Sequence, residues 1–352
     1  MTALERALAE LKAYDGRPLT FMEVCGTHTA AIFRSGLRDV LPPAIRLVSG
    51  PGCPVCVTSE GVIDRLLDYA LSPDTCVLSF GDMLKVPGRR GSLMSRRGDG
   101  AAFRMIYSPF QAVELAKNQP DTRFVAAAVG FETTAPAWAL AAQQALQLNL
   151  RNLTFLTSLK AILPAMDALC HSENAIDGFL CPGHVSTILG SDAYGPLCES
   201  RRKPMAVAGF EPEHLVMAVL ALVRQCQRGE ARVQNLYPEA VSAAGNARAQ
   251  ALLAQALQPG DAHWRGLGVI PQSGFYLRSE YEILDAGSRD IAEAESATPC
   301  RCADVLRGRI HPDACPMFGH CTPSNPLGAC MVSEEGACGI WYANREASQA
   351  MR

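Results

Sequence analysis

The sequence predicts an α/β fold: two similar lobes, each a small parallel sheet flanked by helices, followed by a small cysteine-rich module. Three observations predict it. Short apolar runs ending at Gly, Pro, Cys or Asp recur with helix-like segments between most of them, which is the rhythm of parallel β-α units. The segment Val129-Gly-Phe-Glu-Thr-Thr134 is echoed by Ala208-Gly-Phe-Glu-Pro-Glu213, each following an apolar run and opening a helix, so the chain carries a faint internal repeat. From about residue 286 the periodicity gives way to a Cys, Pro and Gly-rich stretch.

Taken in order, residues 1–14 read as a charged amphipathic helix. Strands are expected at residues 19–24, 45–48 and 75–80, which place the first lobe in residues 16–120. The second lobe, residues 121–260, takes strands at 123–129, 153–157, 178–180 and 205–208. Phe124-Val-Ala-Ala-Ala-Val129 is the near-continuous apolar run of a parallel strand covered on both faces. A strand at 267–270, within residues 265–272, returns to complete the first lobe, and helices are expected before Pro120 and around residues 215–224. Residues 286–352 form the third module, with the N-terminal helix 1–15 packed on it.

At 352 residues there is material for two or three domains at the usual ~100 to 200 residues each. With 48% hydrophobic residues, 19% charged residues and a net charge of -3, a disordered tail or a nucleic-acid-coating protein is excluded. The longest apolar stretch, residues 215–223, falls short of the ~18 residues of a spanning helix, so no membrane partner is expected and cytoplasm is the expected location. Fourteen cysteines in a reducing compartment point to metal binding or redox chemistry instead of disulfide staples.

Cys25-Gly26-Thr27-His28-Thr29 places a thiol at a strand's C-terminal end, near helix amides that would favour thiolate. Gly50-Pro51-Gly52-Cys53-Pro54-Val55-Cys56 carries a Cys-x-x-Cys pair, able to cycle between dithiol and disulfide or to clamp a soft metal; half of a zinc site is the competing reading. Asp82, His184, Glu132 and Glu211 follow other strands and would join the thiols at one sheet edge. Locally, helix capping is the favoured explanation of Glu132 and Glu211. The loop 87–100 holds Arg89, Arg90, Arg96 and Arg97, which fit a solvated mobile loop or a contact with an acidic partner or phosphate. Cys76, Cys170, Cys198 and Cys226 read as structural.

In the tail, Cys300, Cys315, Cys321 and Cys338 are spaced x14, x5 and x16. Wide spacings among Pro and Gly turns fit four thiolates around an iron-sulfur cluster, with zinc the competing reading. Cys302 could replace Cys300, and Cys330 could replace Cys338. No P-loop, dinucleotide fingerprint or nucleophile elbow is present.

Together these residues resemble the HypD family of NiFe-hydrogenase maturation. The matching stretches are Cys25-Gly-Thr-His-Thr29, Gly50-Pro-Gly-Cys-Pro-Val-Cys56, Gly81-Asp-Met83 with Val86-Pro-Gly88, Gly130-Phe-Glu-Thr-Thr134, Cys181-Pro-Gly-His184 and Trp264-Arg-Gly266 with Ile270-Pro271. The tail adds Cys315-Pro-Met-Phe-Gly-His-Cys-Thr-Pro323 through Gly328-Ala-Cys-Met-Val-Ser333, so the resemblance runs over almost the whole chain in one order.

It implies a scaffold, rather than a turnover enzyme, on which the Fe(CN)2(CO) fragment of the hydrogenase is assembled with the small chaperone HypC. Cyanide arrives from HypE as a thiocyanate. By position Cys25 matches the cysteine that holds the iron, Cys53 and Cys56 the redox-active pair, and Cys300, Cys315, Cys321 and Cys338 the ligands of a [4Fe-4S] cluster. This chain has five residues between Cys315 and Cys321 where the family commonly has six. His184, Asp82, Glu132 and Glu211 would surround the iron site. The competing expectations are a [4Fe-4S]-dependent protein disulfide reductase and a zinc-stabilised interaction protein.

Overall fold

The computed structural model describes residues 2–171, 176–293 and 297–344. Its strands are β1 Leu19–Glu23, β2 Ile45–Ser49, β3 Thr75–Ser79, β4 Phe103–Met105, β5 Arg123–Gly130 and β6 Leu153–Lys160. After these come β7 Gly178–Cys181, β8 Met205–Val207, β9 Val233–Asn235, β10 Leu257–Trp264 and β11 Gly268–Leu277. They form two sheets flanked by helices, which is the predicted α/β class.

The first sheet has the order β2-β1-β7-β8-β9 and is parallel throughout. In the second, β10-β11-β6-β5-β3-β4, four strands are parallel, and the β10–β11 hairpin adds antiparallel to β6. β5 is buried over all but its first residue, as a central strand covered on both faces must be.

The sheets do not divide the chain at residue 120. β3, expected in the first lobe, pairs with β5 of the second and carries β4 on its other edge, whereas β7 pairs back onto β1 and carries β8. The expected first-lobe strand near 267–270 is the start of β11, which joins β6 instead. The sheets therefore have five and six strands in place of two matched sets of four. Hydrophobic pattern marks a strand's existence, but its neighbour is chosen by tertiary packing.

Local signals set the helices. Thr2 and Glu5 form a capping box on the helix Ala3–Lys12, and Ser59 accepts from the Val62 amide to start Glu60–Ala70. The first of these helices packs on Pro212–Arg228, held by a bidentate Arg224–Glu10 pair at 2.7 and 2.6 Å, and not on the C-terminal module as expected. Among the described residues no helix is long and apolar enough to cross a membrane.

A core of Val24, Phe131, Ile162, Cys181 and Trp264 joins residues at the strand ends of both sheets, and Cys321, Cys330 and Cys338 of the C-terminal segment pack into it. That segment has only short elements, from Cys302–Leu306 to Ala337–Ala343.

Candidate functional site: thiols between two sheets

Cys25 leaves β1 in extended conformation and caps the helix Gly26–Arg34. The amides of His28 and Thr27 donate to its sulfur, as the sequence implies, but burial outweighs them and pushes the thiol up to about 12. A cation bound at the sulfur would favour the thiolate against this burial. Beneath it, the buried Glu23 carboxylate accepts from the Thr29 hydroxyl and from the Cys25 amide at 3.4 Å, and burial raises it to about 7.

Cys53 and Cys56 are buried and joined in a disulfide, with Cα atoms 5.3 Å apart. Their turn lies directly on Cys25. A Cβ on Gly52 would stand 2.3 Å from the Cys25 nitrogen and 2.4 Å from the Val24 carbonyl carbon, so only glycine allows this approach.

The remaining sequence candidates are divided between the sheets rather than gathered at one edge. Glu132 follows β5, buried, with Oε1 accepting from the Ile162 amide at 2.9 Å and Oε2 without a partner; burial raises it to about 7. It does not cap, because the helix begins three residues later at Ala135, and Glu211 makes no capping bond with its side chain either. The capping explanation fails for Glu132, whereas Glu211 occupies the N-cap position of Pro212–Arg228 and its carbonyl accepts from the Leu215 amide at 3.2 Å. His184 is exposed and packs against Phe210 with the rings tilted by 34° and 4.3 Å apart, and Phe210 also meets His28 at 5.0 Å. His28 itself is buried, donates from Nε2 to the Ala208 and Gly209 carbonyls at 3.1 and 3.2 Å, and is held neutral by burial, down to about 4.

Asp82 opens a single turn after β3, near enough for its charge to act on Glu335. Glu335 is one of several site residues that the sequence reading missed. It accepts from the Thr27 hydroxyl at 3.5 Å, and its carbonyl would be 2.2 Å from a Cβ on Gly26, so the C-terminal segment reaches the Cys25 turn. Tyr194 is another: fully buried, it shares a 2.8 Å hydrogen bond with Ser186, whose hydroxyl donates to the Pro182 carbonyl. Lys160, buried at the end of β6 and lowered to about 8 by desolvation, is a third. None belongs to a recognisable motif.

The arginine loop is neither unpaired nor free. Arg89 binds Asp64 at 2.6 Å, Arg90 binds Asp68 at 2.7 Å, Arg96 pairs with Asp99 at 2.9 Å, and Arg97 lies over the Phe103 ring.

In the C-terminal segment the thiols of Cys302, Cys330 and Cys338 hydrogen-bond to one another, Cys300 to Cys302, and Cys321 lies within reach of their charges. Hydrogen bonds from Cys302 and Cys330 favour thiolate at Cys338. The Leu327 amide donates to the Cys321 sulfur at 3.2 Å. Cys315 is buried on the adjoining turn, its amide donating to the Pro312 carbonyl at 3.1 Å. No three or more His, Cys, Asp or Glu side chains among the described residues surround a single metal-ion position. The converging donors are nevertheless all soft sulfur, the chemistry an iron-sulfur cluster takes.

A family model described as HypD, Hydrogenase formation hypA family, matches residues 2–345. The hydrogenase maturation factor HypD of Azotobacter vinelandii is 44% identical over 364 residues, covering 99% of this chain and 96% of that protein. The HypD of Escherichia coli (strain K12) is 42% identical, covering 94% and 90%, and that of Rhodobacter capsulatus 39%, covering 97% and 93%. With the thiol motifs set in one continuous match, the chain belongs to the HypD family of hydrogenase maturation factors.

Proposed function

We propose that this maturation factor is the scaffold on which the Fe(CN)2(CO) fragment of NiFe hydrogenase is built and handed on. In this reading it works in the cytoplasm, with HypC docked beside Cys25 and HypE delivering cyanide as a thiocyanate. The observation that carries the reading is the seating of the Cys53–Cys56 turn on Cys25 through Gly52. It sets a two-electron couple against a thiol suited to soft, low-spin iron.

Freeing cyanide from a thiocyanate takes two electrons and one proton, giving a thiol and cyanide. Closure of the Cys53 and Cys56 dithiol to the disulfide yields two electrons and two protons, which balances the step with one proton over. Glu132, with a free oxygen and a pKa near neutrality, is the buried group suited to take that proton. Asp82, His184 and Glu211 belong to the surroundings of the iron.

The cluster ligands are Cys300, Cys315, Cys321 and Cys338 in the family pattern, with Cys302 and Cys330 as replacements; the electrostatic contacts among Cys300, Cys321 and Cys338 support the set. Bound there, a [4Fe-4S] cluster supplies electrons one at a time.

Anaerobically purified wild type should hold about four irons and four sulfides, with further iron that shows carbonyl and cyanide stretching bands in the infrared. Cys25→Ala should lose the bands and the further iron while keeping the cluster. Bands that survive Cys25→Ala would remove the scaffold assignment. The Cys53–Cys56 disulfide also favours a second reading, a [4Fe-4S]-dependent protein disulfide reductase. Disulfide turnover retained in Cys25→Ala would select it.

A further inference from the structure

One turn touches both redox elements of the proposed function. Trp264, Arg265 and Gly266 lie where β10 turns back into β11. On one side the Arg265 amide donates to the Val57 carbonyl at 2.9 Å, one residue beyond Cys56. On the other, a Cβ on Gly266 would lie 2.9 Å from the Cα of Ala303, the residue after Cys302.

Arg265 is buried between these contacts, with its side chain 11% exposed. Its Nη2 donates to Glu60 Oε1 at 3.0 Å and to the Pro87 carbonyl at 2.5 Å. Its Nη1 is fully enclosed and has no acceptor among the described residues. A buried guanidinium N–H without an acceptor is rarely tolerated, so an acceptor is expected opposite it. The guanidinium lies near enough to Cys300 for its charge to be felt there.

We propose that Arg265 is a positioning residue that ties the Cys53–Cys56 turn to the cysteine-rich segment and donates from Nη1 to the sulfur set there once an iron-sulfur cluster is bound. The inference rests on the proposed function for the cluster itself. A donor and a positive charge facing the sulfurs stabilise the more negative, reduced state, so the cluster takes an electron more readily than it would without Arg265.

The test is a mediated redox titration of the anaerobically purified full chain, followed by visible absorption and electron paramagnetic resonance, with iron and sulfide measured on each sample. Arg265→Gln should retain its iron and sulfide and become about tenfold harder to reduce, about 59 mV for a one-electron couple. Arg265→Lys keeps the charge and should stay within about threefold of wild type. Glu60→Gln, which removes the carboxylate facing the guanidinium, should move the potential upward and gives an independent reading if Arg265→Gln fails to fold.

An unchanged potential in cluster-bearing Arg265→Gln overturns the inference alone. So does a shift shared equally by Arg265→Lys, or no upward shift in Glu60→Gln. Wild type lacking iron and sulfide overturns the cluster assignment and the inference together.

Discussion

Glu132 is raised to about 7 by burial from an ordinary 4.5. Below pH 4.5 both folded and unfolded chains hold its proton, and nothing is lost. Between there and pH 7 the unfolded chain releases the proton first, so stability falls as pH rises and the deficit is complete above 7. Glu132→Gln has no charge to bury. Its unfolding free energy relative to wild type should improve by about 3 kcal/mol between pH 4.5 and 8, by denaturant titration at each pH. No relative change would mean that the carboxylate is solvated or paired in the native state. At Gly52 the crowding partners are the backbone of Val24 and Cys25, which cannot swing aside as a side chain would. Gly52→Ala should cost about 1 to 3 kcal/mol and speed reduction of the Cys53–Cys56 disulfide, read by thiol labelling. Cys25, Cys53 and Cys56 were legible because their chemistry is local: a thiol at a strand end, a pair one turn apart. Glu335 was not, and Arg265 was legible only as part of the Trp264-Arg-Gly266 stretch, because each gains its place from a contact across the fold that no spacing announces. Glu23 and Tyr194 bond to partners six and eight residues away, but a buried carboxylate and a buried phenol carry no motif.

Among the elements, strands with a buried apolar run were legible, the edge strand β2 among them, and the other edge strands were not. β4 and β9 are three-residue edges, Phe-Arg-Met and Val-Gln-Asn, with no residue fully buried. β10 contains Pro259 and Gly260, which read as a turn; an edge strand tolerates them at the register shift that follows Gly260. The helix Glu60–Ala70 depends on Ser59, which accepts from the Val62 amide at 3.4 Å and donates to Glu293 at 2.6 Å. Ser59→Ala removes a cap and a tie to the segment after β11 together. It should cost about 1 to 2 kcal/mol in a denaturant titration, and a cost near zero would show that water replaces both bonds.

For the whole molecule, the chain enters the first sheet with β1 and β2, crosses to the second for β3 to β6, returns for β7 to β9, and crosses again for β10 and β11. Neither lobe is contiguous. Fragments 1–120 and 121–260 each hold strands whose partners lie in the other, so neither should show a cooperative thermal transition by circular dichroism. A sharp melt from either would contradict the mutual dependence of the sheets. On the proposed function, chelating the iron should open residues 297–344 to protease, since their short elements lack a core of their own, while the far-ultraviolet spectrum of the sheets persists. The crossings also order events in time. Cys25, Cys53 and Cys56 leave the ribosome well before β7, Trp264 and the cysteine-rich segment that enclose them. At ~5 to 20 residues per second, the gap between Cys56 and Cys300 lasts about 10 to 50 s. For that interval the nascent chain displays bare thiols. Oxygen present during translation can therefore misroute sulfur pairing before the fold exists to forbid it.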